Sequence, residues 1–451
     1  MRISTRITHF LTSTLALNVF DSNGNDYVTV VDYYFSLEHD DKVSAKSFNA
    51  GNEAISLGVD NVRFFLPGKI EVVHPDLLAL AALKIVSPYI GSQVIFEFPV
   101  SKKFEESVYK CYKNIKHINS SGFVSSRLPG TIHGMSFSGG ADSVGVSALI
   151  PENSCLVLSA RTFHKDIGKF ESWYRTDQNV ETLKHMPESF RKISAFSDFE
   201  FASTNGKWCI YPDKYAFTIP LLLMADYLKL KSVATGDVLA AFTGNEVKFG
   251  GTFSYKDAYI YEAVGLEFIQ PGCGLTEVGT EMLARKKGLA NISSTCQYGP
   301  FQKPCMKCIK CFRKELLRCA LDGRMPDEKI VGIWNESPAV LSMANSMERS
   351  GAQMLPTISW AFDRIGGKFS GATEKIRRKA KLFSPNSGFA EFAYYSAYRD
   401  KDFEYILHTL KTLIETVGSM NSSQQDNFIS YDALAQLKNN DVVEQLRSII
   451  R

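Results

Sequence analysis

The sequence predicts an α/β protein built on an open parallel β-sheet, with a helical C-terminal region. Three observations predict it. Between about residues 126 and 325, short apolar runs such as CLVLSA (155–160) and SVATG (232–236) alternate with helical segments, the pattern of a parallel sheet covered by helices. A turn rich in glycine and serine, SGGADS at 138–143, follows the end of one apolar run. After about residue 325 the apolar spacing turns helical, from EKIVGIWNESPAVLSMANSMERSG through EYILHTLKTLIETVGSM to DALAQLKNNDVVEQLRSII.

These patterns divide the chain into three regions. Residues 1–125 read as a small α/β domain, with strand-like runs NDYVTVVDYYFSL, KIEVV (69–73) and SQVIFEFPV. Its helix-like stretch HPDLLALAALKIVSPYI starts at His74-Pro75-Asp76, a set of residues suited to capping. The opening MRISTRITHFLTSTLALNVF reads as folded structure, because Thr and Ser interrupt it and no cleavage-site pattern follows. Residues 126–325 carry the chemistry, and residues 326–451 form a helical domain in which NSSQQDN (421–427) reads as a loop.

Composition narrows the function classes. With 451 residues and 45 % hydrophobic content, the chain has apolar material for several folded cores. A net charge of +3 falls short of the broad positive surface of a dedicated nucleic-acid binder, so nucleic acid is not the favoured partner. The longest apolar stretches, LLALAALKIV (77–86) and AFTIPLLLMADYL (216–228), are too short or too interrupted for a membrane helix of about 20 residues. The expected protein is soluble, without membrane contact. Nine cysteines, four of them within 296–311, fit metal binding in a reducing cytoplasm better than a disulfide framework.

The turn at 138–143 needs bare backbone for a reason. If a strand ends at Phe137 and a helix runs from Ser143, then Ser138-Gly139-Gly140-Ala141-Asp142-Ser143 is the turn between them. Backbone N–H groups without helical partners face an anion there, and Gly139 and Gly140 let the chain pass close to it. Ser138 and Ser143 add hydroxyl donors, while Asp142 is placed to face a Mg²⁺ ion carried by phosphates. A P-loop is excluded, since Gly366-Gly367-Lys368 is followed by Phe369 and lacks the upstream spacing.

A second constellation is STCQYGPFQKPCMKCIKCFRK (294–314), with spacing C-x(8)-C-x(2)-C-x(2)-C through Cys296, Cys305, Cys308 and Cys311. Four soft thiolates suit tetrahedral zinc, and a closed four-sulfur set is structural rather than catalytic. Lys303, Lys307, Lys310, Arg313 and Lys314 surround it and are expected to offset the charge of the thiolates.

The six residues SGGADS match in full the SGGxDS signature of the PP-loop ATP pyrophosphatases, and the chain resembles that superfamily of adenine nucleotide alpha hydrolase-like folds. The resemblance implies an open parallel sheet and a loop that holds ATP phosphates while a substrate oxygen attacks the α-phosphate, releasing pyrophosphate. With the cysteine spacing added, residues 130–320 resemble the 7-cyano-7-deazaguanine synthases, in which VATGD (233–237) and PGCGLTE (271–277) correspond to the second conserved strand end and the substrate-side loop. Glu277 follows Thr276 where family members tend to have a lysine. The resemblance implies that Ser138, Gly139, Gly140, Ala141, Asp142, Ser143, Gly236 and Asp237 bind ATP, with Asp142, Ser138 and Ser143 catalytic. The implied reaction is adenylation of a carboxylate, 7-carboxy-7-deazaguanine or a related deazapurine, followed by attack of a nitrogen nucleophile. Long relatives of these synthases occur in antiviral defence operons, which implies an alternative acceptor: an amine on a partner protein, docked through a flanking domain.

Two further classes stand beside this reading: a tRNA-modifying enzyme of the same superfamily, which needs a wide basic surface, and a non-catalytic ATP- and zinc-binding assembly protein. Four features stay open at this level. Cys273 is either a nucleophile or a plain loop thiol, and His164 either lines a nucleotide pocket or sits in an exposed loop. KIRRKAK (375–381) is a nucleic-acid contact or a solvated helix face, and the clusters Tyr33-Tyr34-Phe35 and Phe392-Ala393-Tyr394-Tyr395 are docking anchors or core.

Overall fold

The computed structural model describes residues 1–11, 19–46, 54–161, 176–204, 212–238, 255–293, 295–296, 298–346, 354–394, 409, 411–413, 415–430 and 439–450. Its strands, in chain order, are β1 Arg2–Leu11, β2 Phe20–Asp21, β3 Tyr27–Ser36, β4 Ser44–Lys46, β5 Ala54–Leu57, β6 Asn61–Pro67, β7 Gln93–Phe96, β8 His117–Ser120, β9 Ile132–Ser136, β10 Cys155–Arg161, β11 Arg191–Ser197, β12 Ser203–Thr204, β13 Leu230–Ala234 and β14 Glu267–Ile269. The chain forms two compact units whose segments interleave. The first holds Met1–Ser138, Pro151–Thr235 and Ser254–Ile269, and the second holds Gly139–Ile150, Gly236–Phe253 and Gln270–Arg451.

The first unit is α/β. Among the described residues its main sheet has the order β14-β13-β9-β10-β11-β6-β3-β1-β7-β8, with β2 pairing off β11. The pairs β14–β13, β13–β9, β9–β10 and β10–β11 are parallel, as are β1–β7 and β7–β8. Strands of the N-terminal segment continue this sheet through the antiparallel pair β6–β11. The parallel strands read as short apolar runs because both faces are covered: in β10, Leu156, Val157 and Leu158 are all buried. A small second sheet has the order β12-β5-β4.

Helix Pro75–Val86 starts as its sequence predicts, with the His74 ring nitrogen accepting from Asp76 N at 3.2 Å. From Asp76 to Val86 every residue is buried, so this helix has no solvent face. That burial creates a charge problem at Lys84, which is 0 % exposed. The ammonium is met by Asp213 at 3.1 Å and by Asp257, with the rings of Tyr215 and Tyr261 5.7 and 5.5 Å away. Burial by itself lowers the affinity of Lys84 for its proton, but the two carboxylates outweigh it and hold the group well above the ordinary lysine value.

Two sequence readings are corrected here. KIEVV is not a strand. The ladder belongs to the preceding NVRFFLP and stops where Pro67 lacks an N–H and Gly68 turns to φ +96°. NSSQQDN is not a loop, since helix Ser422–Ser430 begins in it. Asn421 Oδ1 accepts from Gln424 N at 2.9 Å and Gln424 Oε1 accepts from Asn421 N at 2.9 Å, a reciprocal cap that a polar run disguises.

The second unit is mainly helical. Helix Ile309–Asp322 sends Phe312, Leu316, Leu317 and Ala320 into a core with Trp334, Val340, Leu355, Ile358, Trp360, Ile376, Phe383 and Leu446. Among the described residues, no helix is long and apolar enough to cross a membrane.

Removing one partner of a buried ion pair leaves the other charge stranded, a loss of about 3–5 kcal/mol. Lys84→Met should therefore destabilise the chain by several kcal/mol in urea unfolding. Replacing Lys84 together with both aspartates by apolar residues should cost less than Lys84→Met alone; equal losses would show that packing rather than charge is at stake.

Candidate functional site

The turn after β9 has a backbone that its residues explain. Ser138 is exposed and ends the first segment of the first unit, while Gly139, the first residue of the second, takes φ +72°, a left-handed conformation that side chains with a Cβ disfavour. Gly140 is extended, and the helix runs Ala141–Ser147, two residues earlier than the sequence reading placed it. The earlier start puts Asp142 inside the first turn. Ser143 is buried, and Gly236 lies against it so closely that a Cβ there would come within 2.6 Å of Ser143 Oγ. Asp237, next along, accepts from Gln270 Nε2 at 3.0 Å. Within the second unit, the segment after β9 and the segment after β13 are thus brought together at Ser143 and Gly236.

Asp142 sits in a network of buried charges. Thr280 Oγ1 donates to Asp142 Oδ1 at 3.0 Å, and Lys314 Nζ lies 3.5 Å from the same oxygen. Lys314 is also 4.0 Å from Glu277, whose other oxygen pairs with Arg313 at 2.7 Å. Glu277, Arg313 and Lys314 are all under 10 % exposed, while Asp142 is 31 % exposed. Burial pushes the Asp142 carboxyl up, but Lys314 and then Arg313, with the Thr280 hydroxyl, outweigh it and hold the group below the ordinary carboxylate value. Glu277 is therefore a counter-charge to two cations of helix Ile309–Asp322. Arg313 and Lys314 were expected to offset the thiolates; one helical turn beyond Cys311 they face Glu277 and Asp142 instead.

The four cysteines come together. The sulfurs of Cys296, Cys305, Cys308 and Cys311 all lie within 4.8 Å of one another, close to the edge of about 3.8 Å that a tetrahedron with Zn–S near 2.3 Å requires. Six backbone N–H groups point at them: Tyr298, Gly299 and Cys305 toward Cys296, Lys307 and Cys308 toward Cys305, and Cys311 toward Cys308. These bonds stabilise sulfur charge from the backbone. They outweigh burial and lower the Cys296 thiol below its ordinary value. The hydrogen bond from Cys308 and then burial raise Cys311, since four adjacent thiols do not all ionise without a cation among them. The donor set and its spacing fit a zinc ion. Cys308 is also the N-cap of helix Ile309–Asp322, so the cluster and Lys314 share one rigid element.

Cys273 is 0 % exposed. His164 and Tyr395 lie outside the described residues. Tyr33 and Phe35 are core with Tyr34 half outward, and Phe392 and Tyr394 pack around Phe389, Met420 and Phe428. In KIRRKAK, Lys375 reaches Ile450 O, Arg377 pairs with Glu374, Lys379 is buried on Met343 O and Ser346 O, and Lys381 pairs with Asp363. Four of its five cations are thus engaged, and Arg378 is exposed. Thr280 was missed by the sequence reading, because nothing local links it to a carboxylate 138 positions away.

Comparison with known proteins gives a match over residues 256–432 to a family of unknown function, DUF6395. The stretch runs from the end of the first unit through the cysteine cluster into the C-terminal helices, less than half of the chain. No curated protein matches. No solved structure matches.

The cluster should hold one zinc per chain by elemental analysis of purified protein. Cys305→Ser or Cys308→Ser should release it and lower the unfolding midpoint, since structural zinc contributes folding free energy directly. A metal-free variant with unchanged stability would show that the sulfurs need no ion.

Proposed function

We propose that the chain is an ATP pyrophosphatase of the PP-loop type that adenylates a carboxylate and passes the activated acyl group to a nitrogen nucleophile. The observation that carries this reading is the strand order. Numbered one to five in chain order, the parallel strands β9, β10, β11, β13 and β14 lie in the order 3-2-1-4-5. In open sheets of this kind ligands bind beyond the carboxyl ends of the strands where the order reverses, which here is between β9 and β13. SGGADS leaves β9, and Gly236-Asp237 leave β13.

The residues in place fit the nucleotide and its cation. Gly139 and Gly140 carry no Cβ where phosphates would approach the backbone, and Ser138 and Ser143 supply hydroxyls beside them. Asp142 presents a partly exposed, ionised carboxylate, the hard oxygen ligand that Mg²⁺ takes. Mg²⁺ would neutralise charge on the triphosphate and make pyrophosphate a better leaving group. The substrate class follows from the resemblance of the loop, the cysteine spacing and PGCGLTE: 7-carboxy-7-deazaguanine or a related deazapurine acid. Zinc at the four cysteines has a structural part, fixing the helix that carries Arg313 and Lys314. Ammonia is the simplest nitrogen nucleophile; an amine of a partner protein is the alternative acceptor. With four of the five cations of KIRRKAK engaged within the fold, either is favoured over an RNA substrate.

Incubation of the chain with ATP, Mg²⁺ and 7-carboxy-7-deazaguanine should release pyrophosphate and leave an acyl adenylate, and adding ammonia or an amine should displace AMP and give an acyl-nitrogen product. Release of ADP and phosphate would sink the reading. Asp142→Ala should lower the rate about 10²–10³-fold, the usual loss when a charge-stabilising group is removed, with metal content at the cysteines unchanged.

A further inference from the structure

Asp142 is held from one side only. Thr280 Oγ1 and Lys314 Nζ both address Oδ1, and among the described residues nothing bonds Oδ2. A carboxylate with both oxygens free swings about a broad terminal torsion, whereas fixing one oxygen sets the plane of the group and the direction of the other. The fixing groups are themselves fixed: Thr280 is 0 % exposed and Lys314 is 5 % exposed.

The helix crossing is built for this contact. A Cβ on Gly145 would overlap the Thr280 carbonyl, so only glycine lets helix Glu277–Lys286 come near enough to helix Ala141–Ser147 for the hydroxyl to reach Asp142. Thr280 Oγ1 also lies 3.1 Å from Glu277 O, the usual acceptor one turn back on its own helix. One hydroxyl has one proton, and an ionised oxygen is the stronger acceptor.

We propose that Thr280 is a positioning residue, which fixes Oδ1 of Asp142 so that Oδ2 is presented as a single oxygen ligand to the divalent cation that accompanies the nucleotide. The inference rests on the ATP reading above and adds to it a residue outside the loop motif. Hydrogen bonds to a metal-ligating carboxylate typically contribute 10–100-fold in metal affinity.

The test is ATP binding by calorimetry on the full chain across a Mg²⁺ series, with wild type, Thr280→Ser and Thr280→Ala. Both variants lose the methyl group and differ by one oxygen, so their comparison isolates the hydroxyl. Thr280→Ala should need at least tenfold more Mg²⁺ than Thr280→Ser for half-maximal ATP binding, with ATP affinity in EDTA the same for both. Asp142→Glu moves the carboxylate off the hydroxyl from the other helix; it should raise the Mg²⁺ requirement and erase the difference between serine and alanine at 280. Equal Mg²⁺ requirements for the two Thr280 variants overturn the positioning role while leaving the nucleotide reading standing. A wild-type chain that binds no ATP at any Mg²⁺ concentration overturns the nucleotide reading, and the inference with it.

Discussion

Two adjacent cations that are almost out of water, Arg313 and Lys314, impose the central constraint on the second unit. Each costs several kcal/mol to bury alone, and each is tolerated only because a carboxylate from another element meets it. Arg313 has Glu277, and Lys314 is shared between Glu277 and Asp142. Helices Ala141–Ser147, Glu277–Lys286 and Ile309–Asp322 are thereby fixed with respect to one another by charge as well as by packing. A change at any one of these four side chains leaves an uncompensated charge on another element.

The cysteine cluster sits at the start of the same arrangement. Its last two cysteines, Cys308 and Cys311, are the N-cap and a first-turn residue of the helix, Arg313 and Lys314 supply the cations, and Leu316, Leu317 and Ala320 further along belong to the core. One helix thus carries two cysteines of the cluster, two cations of the charged network and, at Phe312, Leu316, Leu317 and Ala320, part of the apolar core. The first unit solves a related problem at Lys84, where a fully buried ammonium ties helix Pro75–Val86 to Asp213 and Asp257. In both units a buried cation is met by carboxylates from other elements, and removing either partner strands the other's charge away from water.

What the sequence made legible was local. The cap at His74, the strands at 155–161 and 230–234 and the cysteine spacing all depend on residues a few positions apart, and periodicity or ligand count exposes them. The strand run at 69–73 misled because apolar alternation outlasted the ladder, which Pro67 and Gly68 had already ended. The cap of helix Ser422–Ser430 was present in the letters, as Asn421 and Gln424, yet lay in a polar stretch without an apolar stripe to mark it. Contacts of Asp142 with Thr280 and Lys314 span 138 and 172 positions, and no pattern within one segment encodes them. Glu277 looked like a departure from a family pattern; its meaning came only from the two cations opposite it.

The interleaving of the two units bears on how the chain is made. Residues 139–150 belong to the second unit, yet they leave the ribosome before β10, β11 and β13 of the first. Their helix is synthesised well before helix Glu277–Lys286, whose Thr280 lies against Gly145. Nascent chains expose apolar surface in just such intervals, and this interval is set by topology rather than by any slow local step. By the same logic, neither unit is a contiguous block that gene fusion or splitting is free to transfer. A fragment covering 256–432 would carry the cysteine cluster and Thr280 but lack the short helix that Gly145 lets lie against Thr280.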